Sequence, residues 1–143
     1  MRGARAFLLA ASLAFPAGAD AGERTAQVLY MLNCQGCHLP DGRGMAGKVP
    51  DMRGMLGKFL AVDGGREFIV RVPGTSNSKL DDGDVARLLN WLVPAMGPST
   101  NDFKPYTALE VGALRANRMA DVAAIRSELL AQIQRSAVQA HPR

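Results

Sequence analysis

The sequence has few cysteines and no long hydrophobic run. Only two cysteines occur among its 143 residues, which excludes a scaffold built on several disulfides and a zinc site with four cysteine ligands. No stretch of 18 or more apolar residues occurs, so we expect no membrane-spanning helix in the mature protein. The contents of hydrophobic (48%) and charged (21%) residues are ordinary for a folded chain, and the length suits one domain.

The N-terminus has the layout of a secretory signal peptide. Two arginines precede an apolar run at residues 6–15, and small residues follow at 17–21, which predicts a signal peptide over 1–21 that is cleaved after Ala21. A buried N-terminal helix is disfavoured because the apolar run is short and ends at Pro16. Cleavage would remove two arginines and one aspartate and lower the net charge from +4 to +3. This surplus is too small and too scattered to predict nucleic-acid binding.

The hydrophobic pattern of the remaining chain predicts an all-α fold. Helices are predicted at 23–33, at 81–93 before Pro94, after a capping box from Thr107 to Glu110, and along an apolar stripe of Val122, Ile125, Leu129 and Ile133. A glycine- and proline-rich loop is predicted at 39–57 and a polar loop at 73–78, whereas 67–72 fits either a strand or a helical turn.

The two cysteines belong to the motif Cys34-x-x-Cys37-His38, which is the attachment signature of c-type haem. Each thiol can add across one vinyl group of the porphyrin, and two intervening residues let one turn of chain present both sulfurs to one edge. His38 then supplies an axial imidazole to the iron. The motif therefore predicts one covalent haem c held by Cys34, Cys37 and His38, and its usual attachment after export agrees with the signal peptide.

Three other uses of the cysteine pair are weaker. A thioredoxin-like redox pair needs a preceding strand and a βαβ context, whereas a helix is predicted before Cys34. A zinc site would need His141, three residues from the end, as the only other histidine. A simple structural disulfide remains the third alternative.

Residues 24–93 resemble a class I cytochrome c, in the extended motif from Cys34 through Pro40, Asp41, Gly42 and Gly44, in Pro50-x-Met52-x-Gly54, and in the helix that carries Leu88 and Trp91. The resemblance implies a three-helix core that wraps the haem. Residues 98–143 lie beyond the resemblance, and their pattern predicts a C-terminal helical extension. It also implies that Tyr30 packs against the helix of Leu88 and Trp91, that Ala26 replaces the usual glycine at the helix crossing, and that the carbonyl of Pro50 steadies His38. Tyr30, Pro50 and Trp91 are therefore expected in the haem pocket.

The loop that carries the sixth iron ligand in that family has no methionine here. The corresponding residues 72–80 offer Asn77 and Lys79, but no thioether. The methionines after His38 are Met45, Met52, Met55, Met96 and Met119. The sixth ligand is therefore a displaced methionine, which we favour, a nitrogen or oxygen ligand, or absent so that the iron is open to small ligands.

The resemblance implies a periplasmic electron carrier rather than an enzyme. It would take one electron from a dehydrogenase or quinol-linked donor and pass it to a terminal acceptor, as a monomer or as a subunit of a redox complex. The alternatives are a haem protein that binds a small ligand or performs catalysis at an open distal site, and a haem subunit of a larger enzyme. The predicted division is a signal peptide over 1–21, a cytochrome domain over 22–97 and an extension over 98–143. Cations at Arg43, Lys48, Lys58 and Lys79 are candidates for docking an acidic partner.

Overall fold

The protein is described here by a computed structural model, in which the backbone is described for residues 19–97 and 103–140 and the side chains for 25–97 and 103–140. Most of the predicted signal peptide, the start of the extension at 98–102 and His141 lie outside these ranges. The helices are α1 (Ala19–Asn33), α2 (Gln35–His38), α3 (Leu56–Leu60), α4 (Gly65–Arg71), α5 (Pro73–Ser76), α6 (Asp82–Ala95), α7 (Ala108–Arg115) and α8 (Val122–Ala140).

The all-α prediction is confirmed within the described ranges. Extended pairing there is limited to one isolated antiparallel bridge between Met45 and Val49. None of the helices in residues 19–97 and 103–140 combines the length and the hydropathy that crossing a membrane requires.

The helices α1 and α6 pack against each other and form one side of the core. Ala26 and Tyr30 of α1 are each 1% exposed, and Leu88 of α6 belongs to the same buried core cluster as Tyr30. The rings of Tyr30 and Trp91 lie 5.7 Å apart between their centroids, at an interplanar angle of 50°, which is a favourable tilted contact. The crossing has the residues that the resemblance implies.

The helix α6 begins as predicted but continues past its proline. The Asp81 side chain accepts a hydrogen bond from the Asp84 backbone N–H at 2.8 Å, which makes Asp81 the N-cap. Pro94 was expected to end the helix, but it lies inside the last turn and α6 ends at Ala95. A proline removes one hydrogen bond from a helix, and here the next turn still closes because the Met96 N–H donates to the Leu92 carbonyl at 3.0 Å.

Three segments are more helical than expected. Residues 67–71 belong to α4 and Val72 is its C-cap, so this stretch is helical and not a strand. The predicted polar loop at 73–78 contains α5, because Pro73 occupies its first turn with a φ already suited to a helix. The predicted loop at 39–57 ends two residues early, because α3 begins at Leu56, which packs into the core.

The C-terminal extension packs onto the rest of the molecule. The helix α7 contacts α4 and α6, and α8 contacts α3 and α4. The predicted cap of α7 is present, since the Thr107 hydroxyl accepts from the Glu110 N–H at 3.2 Å. The Glu110 carboxylate pairs with Arg66 of α4, with 2.6 Å between Nε and Oε1. Arg66 also donates to the Lys104 carbonyl at 2.7 Å, so one side chain connects α4 to the extension.

The Arg66–Glu110 pair is expected to make stability depend on pH. The hydrogen bond from Arg66 lowers the pKa of Glu110 below its ordinary value. The stabilisation is therefore present above the ordinary glutamate pKa of about 4.3 and is lost as the pH falls through the lower folded value. Since the two side chains are 22% and 30% exposed, we expect a contribution of about 1 kcal/mol.

Unfolding by denaturant, measured from pH 7 down to pH 3, checks this expectation. The variant Glu110→Gln should be less stable than the parent at neutral pH and should converge with it in acid. The control is Glu128→Gln, because Glu128 pairs with Arg135 in the same extension but both side chains are at least 60% exposed. Equal pH profiles for the two variants would contradict the assignment.

Candidate haem site

The haem motif is folded into a single turn of helix. The helix α2 follows Cys34 directly, and the backbone N–H groups of Cys37 and His38 donate to the Cys34 carbonyl at 3.0 and 2.9 Å. Both cysteines are free, Cys34 half-buried and Cys37 exposed. Burial raises the pKa of the Cys34 thiol, and the neighbouring Cys37 raises it further. The turn thus brings two thiols and an imidazole to the wall of the same cavity.

The Tyr30 hydroxyl supports the end of this turn. It lies 2.5 Å from the carbonyl oxygen of Leu39 and 3.1 Å from that of His38. Leu39 has a φ of 48°, which a residue with a side chain rarely adopts. Such strain persists only where surrounding contacts hold it. Because the Tyr30 hydroxyl donates to the carbonyls of both His38 and Leu39, Tyr30 stabilises the backbone that follows the second cysteine.

The environment of His38 favours a neutral imidazole. Burial lowers the pKa of His38, while the Pro50 carbonyl and the charge of Asp51 partly oppose this. The Nδ1 atom is buried and has no partner with full hydrogen-bond geometry among the described residues. Pro50 lines the same cavity as His38, and its role in haem binding stays a prediction. Neutral imidazole is the form that binds a metal ion.

An apolar cavity of about 430 Å³ opens beside the motif, within the range of roughly 300–1,000 Å³ that is usual for ligand pockets. The side chains that form its apolar wall come from α3, α4 and α6 and are Leu56, Phe59, Phe68, Ile69, Val85, Leu88, Leu89 and Leu92. These eight residues also form half of the buried core cluster. These side chains do not fill the centre of the molecule by packing against one another, but surround an apolar cavity. A large planar apolar group fits such a cavity.

Another part of the wall comes from the segment around α5. Val72, Pro73, Gly74, Thr75, Ser78 and Leu80 line the cavity there. The helix α2 packs against α1, whereas α5 packs against α4, so the two short helices belong to different parts of the wall. The α5 segment supplies no sulfur or imidazole, but its Ser78 Oγ is buried and has no hydrogen-bond partner among the described residues.

The methionines that line the cavity are Met52 and Met55. Met96 is 6% exposed and packs against Gly42 on another side. Gly42 has a φ of 80°, and a Cβ atom there would collide with the Met96 side chain, so glycine is required at this contact. Met45 lines a neighbouring recess, and Met119 packs against the core cluster without lining either space.

Several other predicted residues lie away from the cavity wall. Tyr30 and Trp91 are at the crossing of α1 and α6, so their part in haem binding stays a prediction. Asn77 and Lys79 are exposed and do not line the cavity.

Among the candidate docking cations, Arg43 pairs with Asp41 at 3.3 Å, whereas Lys48 lines the cavity.

Sequence reasoning missed the contribution of α8. Val122 and Arg126 line the cavity although they lie more than 80 residues after the haem motif. The apolar stripe that predicts α8 includes Val122, but no local signal indicates which surface that stripe covers. The predicted extension therefore takes part in the site itself.

Comparison with known proteins gives two curated relatives, both from Thermus thermophilus. One is a Cytochrome c-552 that is 34% identical over 134 residues, which cover 80% of this chain and 86% of the relative. Another Cytochrome c-552 is 33% identical over 106 residues, which cover 60% of this chain and 81% of the relative. No protein-family model matches the chain, and no solved structure matches it significantly.

The chain belongs to the c-type cytochromes. The resemblance stated from the sequence is thereby confirmed, and so is the cofactor: the protein is a haem c electron carrier with the Cys34 and Cys37 pair of the attachment motif. The residues around the cavity fit this group, since they combine two free thiols, a half-buried imidazole and an apolar enclosure.

Proposed function

We propose that the protein is an exported, periplasmic monohaem cytochrome that accepts one electron from a dehydrogenase or quinol-linked donor and passes it to a terminal acceptor. The observation that carries this proposal is the apolar cavity with Cys34, Cys37 and His38 on its wall. When bound, the haem supplies a reversible one-electron couple. No catalytic role is assigned to any residue.

In this proposal the chain anchors, ligates and shields the cofactor. Cys34 and Cys37 provide the thioether bonds, and His38 provides the proximal imidazole, held near the Pro50 carbonyl. The apolar wall excludes water and lowers the local dielectric, which tunes the potential. The division into a signal peptide over 1–21, a cytochrome domain over 22–97 and an extension over 98–143 is part of the proposal.

The sixth ligand is proposed to be a thioether of Met52 or Met55. These two methionines line the cavity, whereas Met96 packs against Gly42 elsewhere. Both lie in the segment that follows Pro50, and the Met55 N–H donates to the Met52 carbonyl at 3.1 Å. A thioether opposite a histidine raises the reduction potential and suits simple electron transfer.

A second candidate function is reversible binding of a small ligand at the iron. It is supported by the α5 segment, which lines the cavity without a sulfur or imidazole ligand and carries the buried Ser78 Oγ, for which residues 25–97 and 103–140 provide no hydrogen-bond partner. A buried hydroxyl without a partner is costly, and a polar diatomic ligand would satisfy it. Thr75 on the same segment offers a second hydroxyl.

Absorption spectra of the protein purified from the periplasmic fraction distinguish the two functions. For an electron carrier, the ferric form should show the weak long-wavelength band of iron–thioether bonding, and the ferrous form should not bind carbon monoxide rapidly. Met52→Leu or Met55→Leu should remove the band, while Met45→Leu should retain it as the matched control. A high-spin ferric spectrum with rapid carbon monoxide binding would overturn the thioether assignment and favour the small-ligand function.

A further inference from the structure

The extension brings one charged side chain to the haem cavity. Arg126 of α8 is half-buried and lines the cavity together with Val122. It also lines the neighbouring recess, which it shares with Lys48 and Asp51. Arg126 therefore lies where the α8 helix meets the loop that follows the haem motif.

The guanidinium of Arg126 has no partner among the residues whose side chains are described. Of the half-buried arginines, Arg66 donates to Glu110, Arg71 to the Asn117 carbonyl and Arg115 to Asp82, each at 2.6–2.7 Å. Arg126 makes no such contact within 25–97 and 103–140. A partly buried cation without a counter-charge costs free energy. This position therefore indicates that the ligand of the cavity carries an anionic group that pairs with Arg126.

The acidic side chain in the recess is already engaged. Asp51 pairs with Arg53 at 2.6 Å, and this contact lowers the pKa of Asp51 to about 2. Lys48 in the same recess is exposed and also lacks an ion-pair partner in the described part of the chain. Within the described residues, the recess thus presents two cations without an ion-pair partner, Lys48 and Arg126, beside one carboxylate that pairs with Arg53.

We propose that Arg126 binds a propionate carboxylate of the haem, with Lys48 assisting from the exposed side, and that this contact raises the reduction potential. The inference rests on the proposed haem site. Haem carries two propionates, and the planar guanidinium matches a carboxylate with two parallel hydrogen bonds. A fixed positive charge near the haem disfavours the more positive ferric form. The extension is then a positioning element of the cofactor and not only a helix packed beside it.

The test is the midpoint potential of the purified holoprotein, measured by spectroelectrochemistry. Arg126→Gln should lower the equilibrium constant for reduction by about tenfold, or 59 mV for a one-electron couple. Arg126→Lys keeps the charge and should recover most of the potential. The matched control is Arg135→Gln, which removes the same charge from the same helix at an exposed pair with Glu128 and should leave the potential nearly unchanged.

The outcomes separate this inference from the proposed function. Covalent haem with equal potentials in Arg126→Gln and Arg135→Gln would overturn the propionate contact alone. Absence of covalent haem from the parent protein would overturn the proposed function. The parent potential should not respond to inorganic phosphate at constant ionic strength; a response that Arg126→Gln abolishes would assign the site to a free anion and overturn the inference.

Discussion

A protein with serine at both Cys34 and Cys37 is expected to retain no covalent haem and to lose its stable fold. The two thiols are the cysteines available for thioether bonds. Without the haem, the apolar side chains that line the cavity of about 430 Å³ would lose their packing partner and face water, which costs about 25 cal/mol per Å² of apolar surface. A typical domain is stable by only about 5–15 kcal/mol, so this loss is expected to unfold the chain. Haem stain on a denaturing gel and far-UV circular dichroism measure the two effects.

The single variants Cys34→Ser and Cys37→Ser are the controls for that experiment. Each keeps one thiol, so each should retain a covalent but reduced haem stain, with the spectrum of a haem that has one remaining vinyl group. Their recovery from the periplasmic fraction would show that the chain is made and exported. A haem band that survives denaturation in the double variant would contradict the assignment of the two thiols.

Replacement of Tyr30 by alanine is expected to destabilise the holoprotein by about 3–5 kcal/mol, because a large, fully buried aromatic side chain is removed. The loss includes the ring contact with Trp91 and the hydrogen bond to the turn that follows Cys37. Denaturant unfolding followed by both far-UV circular dichroism and Soret absorbance measures it. Because Tyr30 supports the haem motif, the two signals should change together.

Tyr30→Phe separates the packing of the ring from the hydrogen bond. It keeps the contact with Trp91 but leaves the His38 and Leu39 carbonyls without the hydroxyl. We expect a loss of about 1–3 kcal/mol. If Tyr30→Phe were as stable as the parent protein, the hydroxyl would not brace the strained Leu39, and the effect of Tyr30→Ala would be packing alone.

Much of the fold follows from local sequence signals. Asp81 caps α6 and Thr107 caps α7 because their side-chain oxygens accept hydrogen bonds from N–H groups three residues later. The periodic apolar stripes of α6 and α8 were sufficient to predict helices there. The boundaries at Pro94 and Leu56 were wrong because closure of the last turn of α6 and burial of Leu56 in the core override the local signals.

The site divides in the same way. The cysteine spacing predicts haem attachment because two thiols and an imidazole within one turn are a property of five consecutive residues. The sequence does not determine which methionines reach the cavity, since Met52 and Met55, which line it, and Met96, which does not, all lie in segments with irregular or terminal backbone. Their positions follow from contacts such as that between Met96 and Gly42, which joins residues distant in the chain.

The two cysteines therefore indicate the chemistry of haem attachment, but they do not indicate which side chains surround the haem. With two cysteines placed three positions apart, the sequence was enough to predict a haem protein of largely helical structure. Which side chains surround the haem depends on how α4, α5 and α8 pack around one cavity. Arg126 is an example, because its proposed contact with the haem is inferred from its burial and from its lack of a partner in the described part of the chain. Burial and pairing are properties of the folded chain, since they arise only when distant segments are brought together.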